Sequence, residues 1–92
     1  MRLALLRDES TQMPAVDPEV TNLSIWHCKY QTLRPIAALR KLRTLVIASY
    51  LDDTLSPLEL LTELRYLEIL HLPKVQDLAP LTRLTQLEVL KL

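Results

Sequence analysis

The chain has 92 residues, eleven basic and eleven acidic side chains, 49% hydrophobic residues and no glycine. That length supports one domain, and the even charge lacks the basic excess that a nucleic-acid footprint needs. Without glycine, no Gly-rich phosphate cradle, dinucleotide-binding turn, EF-hand loop or nucleophile elbow can be written.

At the N-terminus, Leu3-Ala4-Leu5-Leu6 is too short for a signal-peptide core, and no stretch is long enough to span a membrane. The single cysteine, Cys28, cannot form an internal disulfide, which favours a cytoplasmic setting. Leu3-Ala4-Leu5 lies twenty residues before Leu23 and fits the strand of a degenerate first coil. Arg7 to Pro18 reads as an irregular connection. Residues 1–19 therefore form an irregular N-terminal segment, and residues 20–92 form repeats.

Three ladders of aliphatic residues then advance in steps of three and close on a step of two. They are Ile36, Leu39, Leu42, Leu45, Ile47; Leu61, Leu64, Leu67, Leu70, Leu72; and Leu81, Leu84, Leu87, Leu90, Leu92. On an α-helix a three-residue step turns about 300°, so such a stripe would wrap around the rod. The final step of two is the period of a strand. Each ladder thus predicts a short helical or 3₁₀ stretch that turns a corner into a short strand. Leu33-Arg34-Pro35-Ile36, Leu55-Ser56-Pro57-Leu58 and Leu78-Ala79-Pro80-Leu81 share the form Leu-x-Pro-aliphatic. Proline suits a first helical turn, so helical segments are placed from Pro35, Pro57 and Pro80. Strands are placed at Leu23-Ser24-Ile25, Leu45-Val46-Ile47, Leu70-His71-Leu72 and Leu90-Lys91-Leu92. A competing register puts the third of these at Leu67-Glu68-Ile69. Leu70-His71-Leu72 is preferred because Leu-Glu-Ile-Leu-His-Leu matches the closing Leu-Glu-Val-Leu-Lys-Leu in residue type.

Repeats of this length point to stacked coils that share one core. From about Val20 to Leu92 the chain resembles the leucine-rich repeat family, in the short 20–25-residue, internalin-like bacterial form. The resemblance implies an α/β fold: a right-handed solenoid with a short parallel sheet on its concave face and short helical or 3₁₀ segments on its convex face. It also implies a binding scaffold, since family members mostly bind other proteins through the concave face. Where the family usually carries asparagine, three residues beyond the strand, this chain has Cys28, Tyr50 and Val75. Cysteine is a weak donor that can stand in; tyrosine and valine predict a less regular turn after the second and third of these strands.

Candidate chemistry is sparse. Trp26-His27-Cys28, with His71 at a distance, lacks the three or four converging ligands of a metal site, and Cys28 reads as a small core residue. Ser24, Ser49 and Ser56 lie in no nucleophile motif. The reading is of a non-enzymatic chain with no metal and no cofactor. Asp52, Asp53 and Asp77 precede the Leu-x-Pro segments and suit turn or capping roles. Arg34, Arg40, Lys41 and Arg43 form a basic cluster, with Glu59 and Glu63 one coil further on; this reads as a solvated convex surface with weak ion pairs between coils, the alternative being a patch for an acidic partner.

Strand alternation gives the concave face. One column is Ser24, Val46, His71 and Lys91; the column before it is Asn22, Thr44, Ile69 and Val89; the column after it begins Trp26, Ala48 and Pro73, beside His27 and Lys74. Val46, Ile69, Val89 and Trp26 would form an apolar centre with a polar rim, the anatomy of a protein-binding patch. The expected partner is a protein, with no nucleic acid and no membrane. His71 beside Lys91 would make such binding sensitive to pH near neutrality. The sequence stops on Leu92 with no polar closing helix, which leaves two readings open: the chain continues, or another chain or copy covers that end. The alternative to a binding module is a structural segment of a longer repeat protein.

Overall fold

The computed structural model describes all 92 residues. Five strands form one open parallel sheet: β1 (Arg2–Leu6), β2 (Asn22–Trp26), β3 (Thr44–Ile47), β4 (Tyr66–Ile69) and β5 (Val89–Lys91). Their order in the sheet is their order in the chain. Three 3₁₀ segments, Arg34–Ala38, Ser56–Leu58 and Ala79–Arg83, lie in the connections before β3, β4 and β5. Strand, turn, 3₁₀ segment and next strand recur as one unit, an arrangement that fits a repeat solenoid.

The steps of three are now explained. Ile36, Leu39 and Leu42 each donate a backbone N–H to the carbonyl three residues back, as do Leu58, Leu61 and Leu64, and Leu81, Leu84 and Leu87. A chain with three residues per turn stacks every third side chain on one face. That face is turned inward: Ile36, Leu39 and Leu42 are buried, as are Leu58, Leu61 and Leu64. The start of each 3₁₀ segment is also repeated. Thr32, Thr54 and Asp77 accept the N–H of Arg34, Ser56 and Ala79 at 3.2, 3.1 and 2.9 Å. These short side chains satisfy a donor that the first turn leaves free. Each segment has proline in its first turn, as expected.

The register of β4 corrects the sequence reading. Leu45 pairs with Leu67, Val46 with Glu68 and Ile47 with Ile69, so the strand is Tyr66–Ile69 and not Leu70-His71-Leu72. The competing register was the right one. Leu42-Arg43-Thr44-Leu45-Val46-Ile47 aligns with Leu64-Arg65-Tyr66-Leu67-Glu68-Ile69 and with Leu87-Glu88-Val89-Leu90-Lys91-Leu92. Each Leu-x-Pro proline then stands ten residues before its strand leucine, and the one extra residue of the last unit falls between Ile69 and Pro80. A slip of three residues is odd, so it would turn every side chain of the strand to the other face. It would expose Leu67 and Ile69, both fully buried, and draw in Leu70, which is 54% exposed.

β1 pairs with β2 through Leu3–Leu23 and Leu5–Ile25, so the N-terminal segment does contain the strand of a first unit. The core runs between the sheet and the 3₁₀ segments, from Val20 to Leu84. Leu3, Leu5, Leu72 and Leu87 pack partly against it. Buried hydroxyls serve the turns. Tyr30 donates to the Asp8 carboxylate at 2.7 Å, and Tyr50 donates to the Thr54 carbonyl at 2.6 Å. Asp52 reaches back one unit and accepts both the Thr32 hydroxyl at 2.6 Å and the Leu33 N–H at 2.8 Å.

Candidate functional site on the open face of the sheet

Alternation along the strands sends one set of side chains to the core and the other to the open face. On β2, Leu23 and Ile25 are buried while Asn22, Ser24 and Trp26 are half-buried. β3 and β4 repeat the pattern. The registers then define three columns across the sheet.

The first column is Arg2, Asn22, Thr44, Tyr66 and Val89. The second is Ala4, Ser24, Val46, Glu68 and Lys91. The third starts with the pair Leu6 and Trp26. It continues through Ala48 and Leu70, whose N–H groups bond the Ile25 and Ile47 carbonyls at 2.9 and 3.0 Å.

Asn22, Ser24, Trp26, Thr44, Val46, Val89 and Lys91 therefore occupy the face where the sequence placed them. Ile69 does not, because its side chain is fully buried in the core, in register with the buried Ile47. Tyr66 takes its place. His71 lies two residues past β4, outside the central column, with its carbonyl accepting the Tyr50 N–H at 2.8 Å. Glu68 takes its place and is the strand partner of Lys91, so His71 has no such neighbour. His27 follows β2 directly, and Lys74 sits in the turn after β4; both are exposed. Pro73 is replaced in the third column by Leu70. Arg2, Ala4 and Leu6 complete the face from β1. Their signal was present in the Leu3-Ala4-Leu5 strand, once its alternation is carried on to Leu6.

The face is chemically divided. In the first and second columns, Tyr66 donates its hydroxyl to Glu68 at 2.6 Å, and the Lys91 ammonium lies 5.7 Å from the centre of the Tyr66 ring. A cation over an aromatic face is held by the ring quadrupole. This cluster ties β4 to β5. Towards β1, the small side chains of Ala4 and Ser24 leave a shallow hollow of about 540 Å³ bordered by Arg2, Asn22 and Thr44. The third column is an apolar row, with Leu6 at 61% and Leu70 at 54% exposure flanking the half-buried Trp26 and Ala48.

The turns beside this row explain the remaining polar contacts. Arg7 and His27 stand at matched positions after β1 and β2, and both have left-handed backbone, with φ of 53° and 55°. Glycine normally takes such a position, and this chain has none. The Cys28 thiol then donates to the Leu5 carbonyl of the preceding unit at 3.3 Å and to the Trp26 carbonyl of its own at 3.4 Å. After β3 the equivalent residue is Tyr50, buried and bonded differently, and no left-handed residue follows β3 or β4. The Ser10 N–H, and after it the Tyr30 hydroxyl, hold the Asp8 carboxyl below its ordinary range. Burial, reinforced by the bond to Asp8, pushes Tyr30 up, and burial with Asp52 nearby pushes Tyr50 up.

No three side chains among histidine, cysteine, aspartate and glutamate come together in a way that could hold a metal ion. No helix is long and apolar enough to cross a membrane. Compared with known proteins, the chain matches no family model, and it has no match among curated proteins.

Proposed function

We propose that this chain is a non-enzymatic protein-interaction module of the leucine-rich repeat type, and that its partner is a protein that docks on the open face of the sheet. The observation that carries this reading is the apolar row Leu6, Trp26, Ala48 and Leu70. A contiguous apolar row on an ordered sheet, beside polar columns, has the composition of an interface centre with its rim. Trp26 is the anchor, because tryptophan at the middle of such a patch buries more area than any other side chain. The repeat architecture supports the reading as well: stacked units present an extended surface whose residues can vary without disturbing the core.

The test is affinity capture from source-cell lysate with three chains verified as folded by circular dichroism. They are the native chain, a Trp26→Ala/Leu70→Glu variant of the open face, and an Arg40→Glu control in the connection on the other side. A protein retained by the native chain and the control, and lost with the open-face variant, is the expected result. Equal retention by all three overturns the assignment of this face.

A further inference from the structure

We infer that the occupant of the apolar row is an acidic amphipathic helix of the partner, lying across the strands. The inference rests on the open-face reading above and adds to it the chemistry of the bound segment.

The spacing of the row is the first ground. Neighbouring parallel strands are about 4.8 Å apart, so Leu6, Trp26, Ala48 and Leu70 fall at intervals of that size and span about 14 Å. An α-helix that presents residues i, i+3, i+7 and i+10 places them at about 0, 4.5, 10.5 and 15 Å along its axis. The two rulers agree along the whole row. At the third position Ala48 is small, which leaves room for a large side chain of the helix. An extended segment crossing the strands would place same-face side chains about 6.6 Å apart, so its second would fall between Trp26 and Ala48 and two row positions would go unmatched.

Charge is the second ground. The chain is neutral overall, but the sheet is not. Its open face carries Arg2 and Lys91 against Glu68, with Arg7 in the turn that follows Leu6. Glu68 keeps its charge while it accepts the Tyr66 hydroxyl, and Arg65 and Glu88, 4.0 Å apart, offset each other, so the face carries a small positive excess. The other three ion pairs join Lys29 to Glu9, Lys41 to Glu19 and Arg83 to Glu59, so Arg2, Arg7, Lys74 and Lys91 have no carboxylate partner. Along the turn side, the row is followed directly by Arg7, His27, Ser49 and His71; of the acids further along these turns, Asp8 is bonded to Ser10 and Tyr30, Glu9 lies 3.3 Å from Lys29, and Asp52 is bonded to Thr32 and Leu33. A helix about 10 Å across, seated on the row, would reach these groups on one side and the Lys91 column on the other. Its flanks should therefore carry glutamate and aspartate. A duplex or single-stranded nucleic acid fits less well, because the row offers it apolar side chains and one aromatic ring, not a phosphate track.

Trp26 is the only tryptophan, so its fluorescence reports directly on the row. The probe is a lactam-bridged helical peptide with leucine at i, i+3, i+7 and i+10 and glutamate on both flanks. A lysine-flanked peptide of the same apolar pattern and a short DNA duplex serve as comparisons. The glutamate peptide is expected to shift Trp26 emission to the blue and to bind more weakly as salt rises. Leu6→Glu and Leu70→Glu should each weaken it about tenfold or more, because both lie on the row and neither is buried. Arg7→Glu should weaken it about three- to fivefold and improve binding of the lysine peptide, while Arg40→Glu should leave both unchanged. No emission shift up to about 1 mM glutamate peptide, a level below which specific docking falls, overturns the inference. So does equal binding of the lysine peptide, or tighter binding of the duplex. If these peptides fail while lysate capture still depends on Trp26 and Leu70, the partner chemistry is wrong and the open face stands. If capture is also indifferent to them, the underlying reading fails with it.

Discussion

The two units that end in β4 and β5 carry the same pattern and have different fates. Leu58, Leu61, Leu64, Leu67 and Ile69 are all fully buried. Their equivalents Leu81 and Leu84 are nearly so, Leu87 is half-buried, and Leu90 and Leu92 are 44% and 48% exposed. The covalent pattern is the same in both, so the leucine ladder does not by itself make a core. β4 has a paired strand on each side, whereas β5 pairs with β4 alone. A unit of this kind cannot bury its own ladder, and its stability is borrowed from its neighbours.

Equivalent substitutions in the two units should therefore separate widely. Leu67→Ala removes a fully buried side chain, and the expected loss is about 2–5 kcal/mol, read from urea unfolding. In a domain worth about 5–15 kcal/mol, that change alone can leave it largely unfolded at room temperature. Leu90→Ala occupies the same register position in β5 and should cost less than about 1.5 kcal/mol, since much of its surface already faces water. Leu87 reads in the sequence as an inner-ladder residue of the same rank as Leu67, yet it should fall between the two. Equal losses at Leu67 and Leu90 would contradict the difference in burial between the units.

The next largest effect concerns how units are tied together. Asp52 is half-buried and accepts two bonds from the preceding unit, one of them from the Leu33 N–H that opens a 3₁₀ segment. Asp52→Ala leaves both donors without their partner and should cost about 1–3 kcal/mol. Asp77 sits in the later unit and bonds only the local Ala79 N–H at 2.9 Å in an exposed turn. Asp77→Ala should cost clearly less. A comparison of the two unfolding midpoints checks the ranking.

A smaller effect distinguishes the units by pH. Tyr50→Phe loses the bond to the Thr54 carbonyl, for about 0.5–1.5 kcal/mol at neutral pH. Burial raises the pKa of Tyr50 and Tyr30 in the folded chain above the ordinary value of about 10. A raised pKa means that the folded state holds its proton more tightly than the unfolded state does. The resulting stability is complete below about pH 10 and declines as the pH rises beyond it. The native chain should therefore lose stability steeply above that point. A Tyr30→Phe/Tyr50→Phe chain should show a flatter alkaline limb, as measured by urea midpoints across the alkaline range.

Much of this fold was legible in the sequence because two periods recur in it. The steps of three encode 3₁₀ turns, the closing step of two encodes the strand, and proline marks where each segment starts. The strand of the first unit was legible too, from Leu3-Ala4-Leu5. The register of β4 is ambiguous in the sequence because leucine stands at both Leu67 and Leu70, so a local match of residue types competes with the distance from Pro57. That distance is the sounder guide, since it must agree between units that stack. The candidate site inherits that ambiguity. The match of residue types places Ile69 and His71 on the open face, where the register places Tyr66, Glu68 and Leu70. The capping residues Thr32 and Thr54 and the reach of Asp52 across units had no signal short of the three-dimensional register. The same holds for Lys41, whose ammonium bonds Glu19 at 2.7 Å in the preceding unit, although Glu63 is equally distant in sequence on the other side.

The smallest expected effect tests why the turns differ between the early and the later units. His27 holds a left-handed backbone after β2, which costs a residue with a Cβ about 1 kcal/mol. Histidine tolerates that region better than most side chains do. Ser49 occupies the equivalent position after β3 and does not have a positive φ. Glycine relieves the strain at His27 but adds unfolded-state freedom at both sites. His27→Gly should therefore be neutral or stabilising by a few tenths of a kcal/mol, up to about 1 kcal/mol. Ser49→Gly should destabilise by about 0.5–1 kcal/mol. Thermal midpoints of the two variants, measured side by side, separate them by sign. If His27→Gly destabilises as much as Ser49→Gly, the left-handed turn is not what sets the early units apart. The cause would then have to lie in the residues that follow it, where Cys28 bonds the Leu5 carbonyl and Tyr50 fills the core.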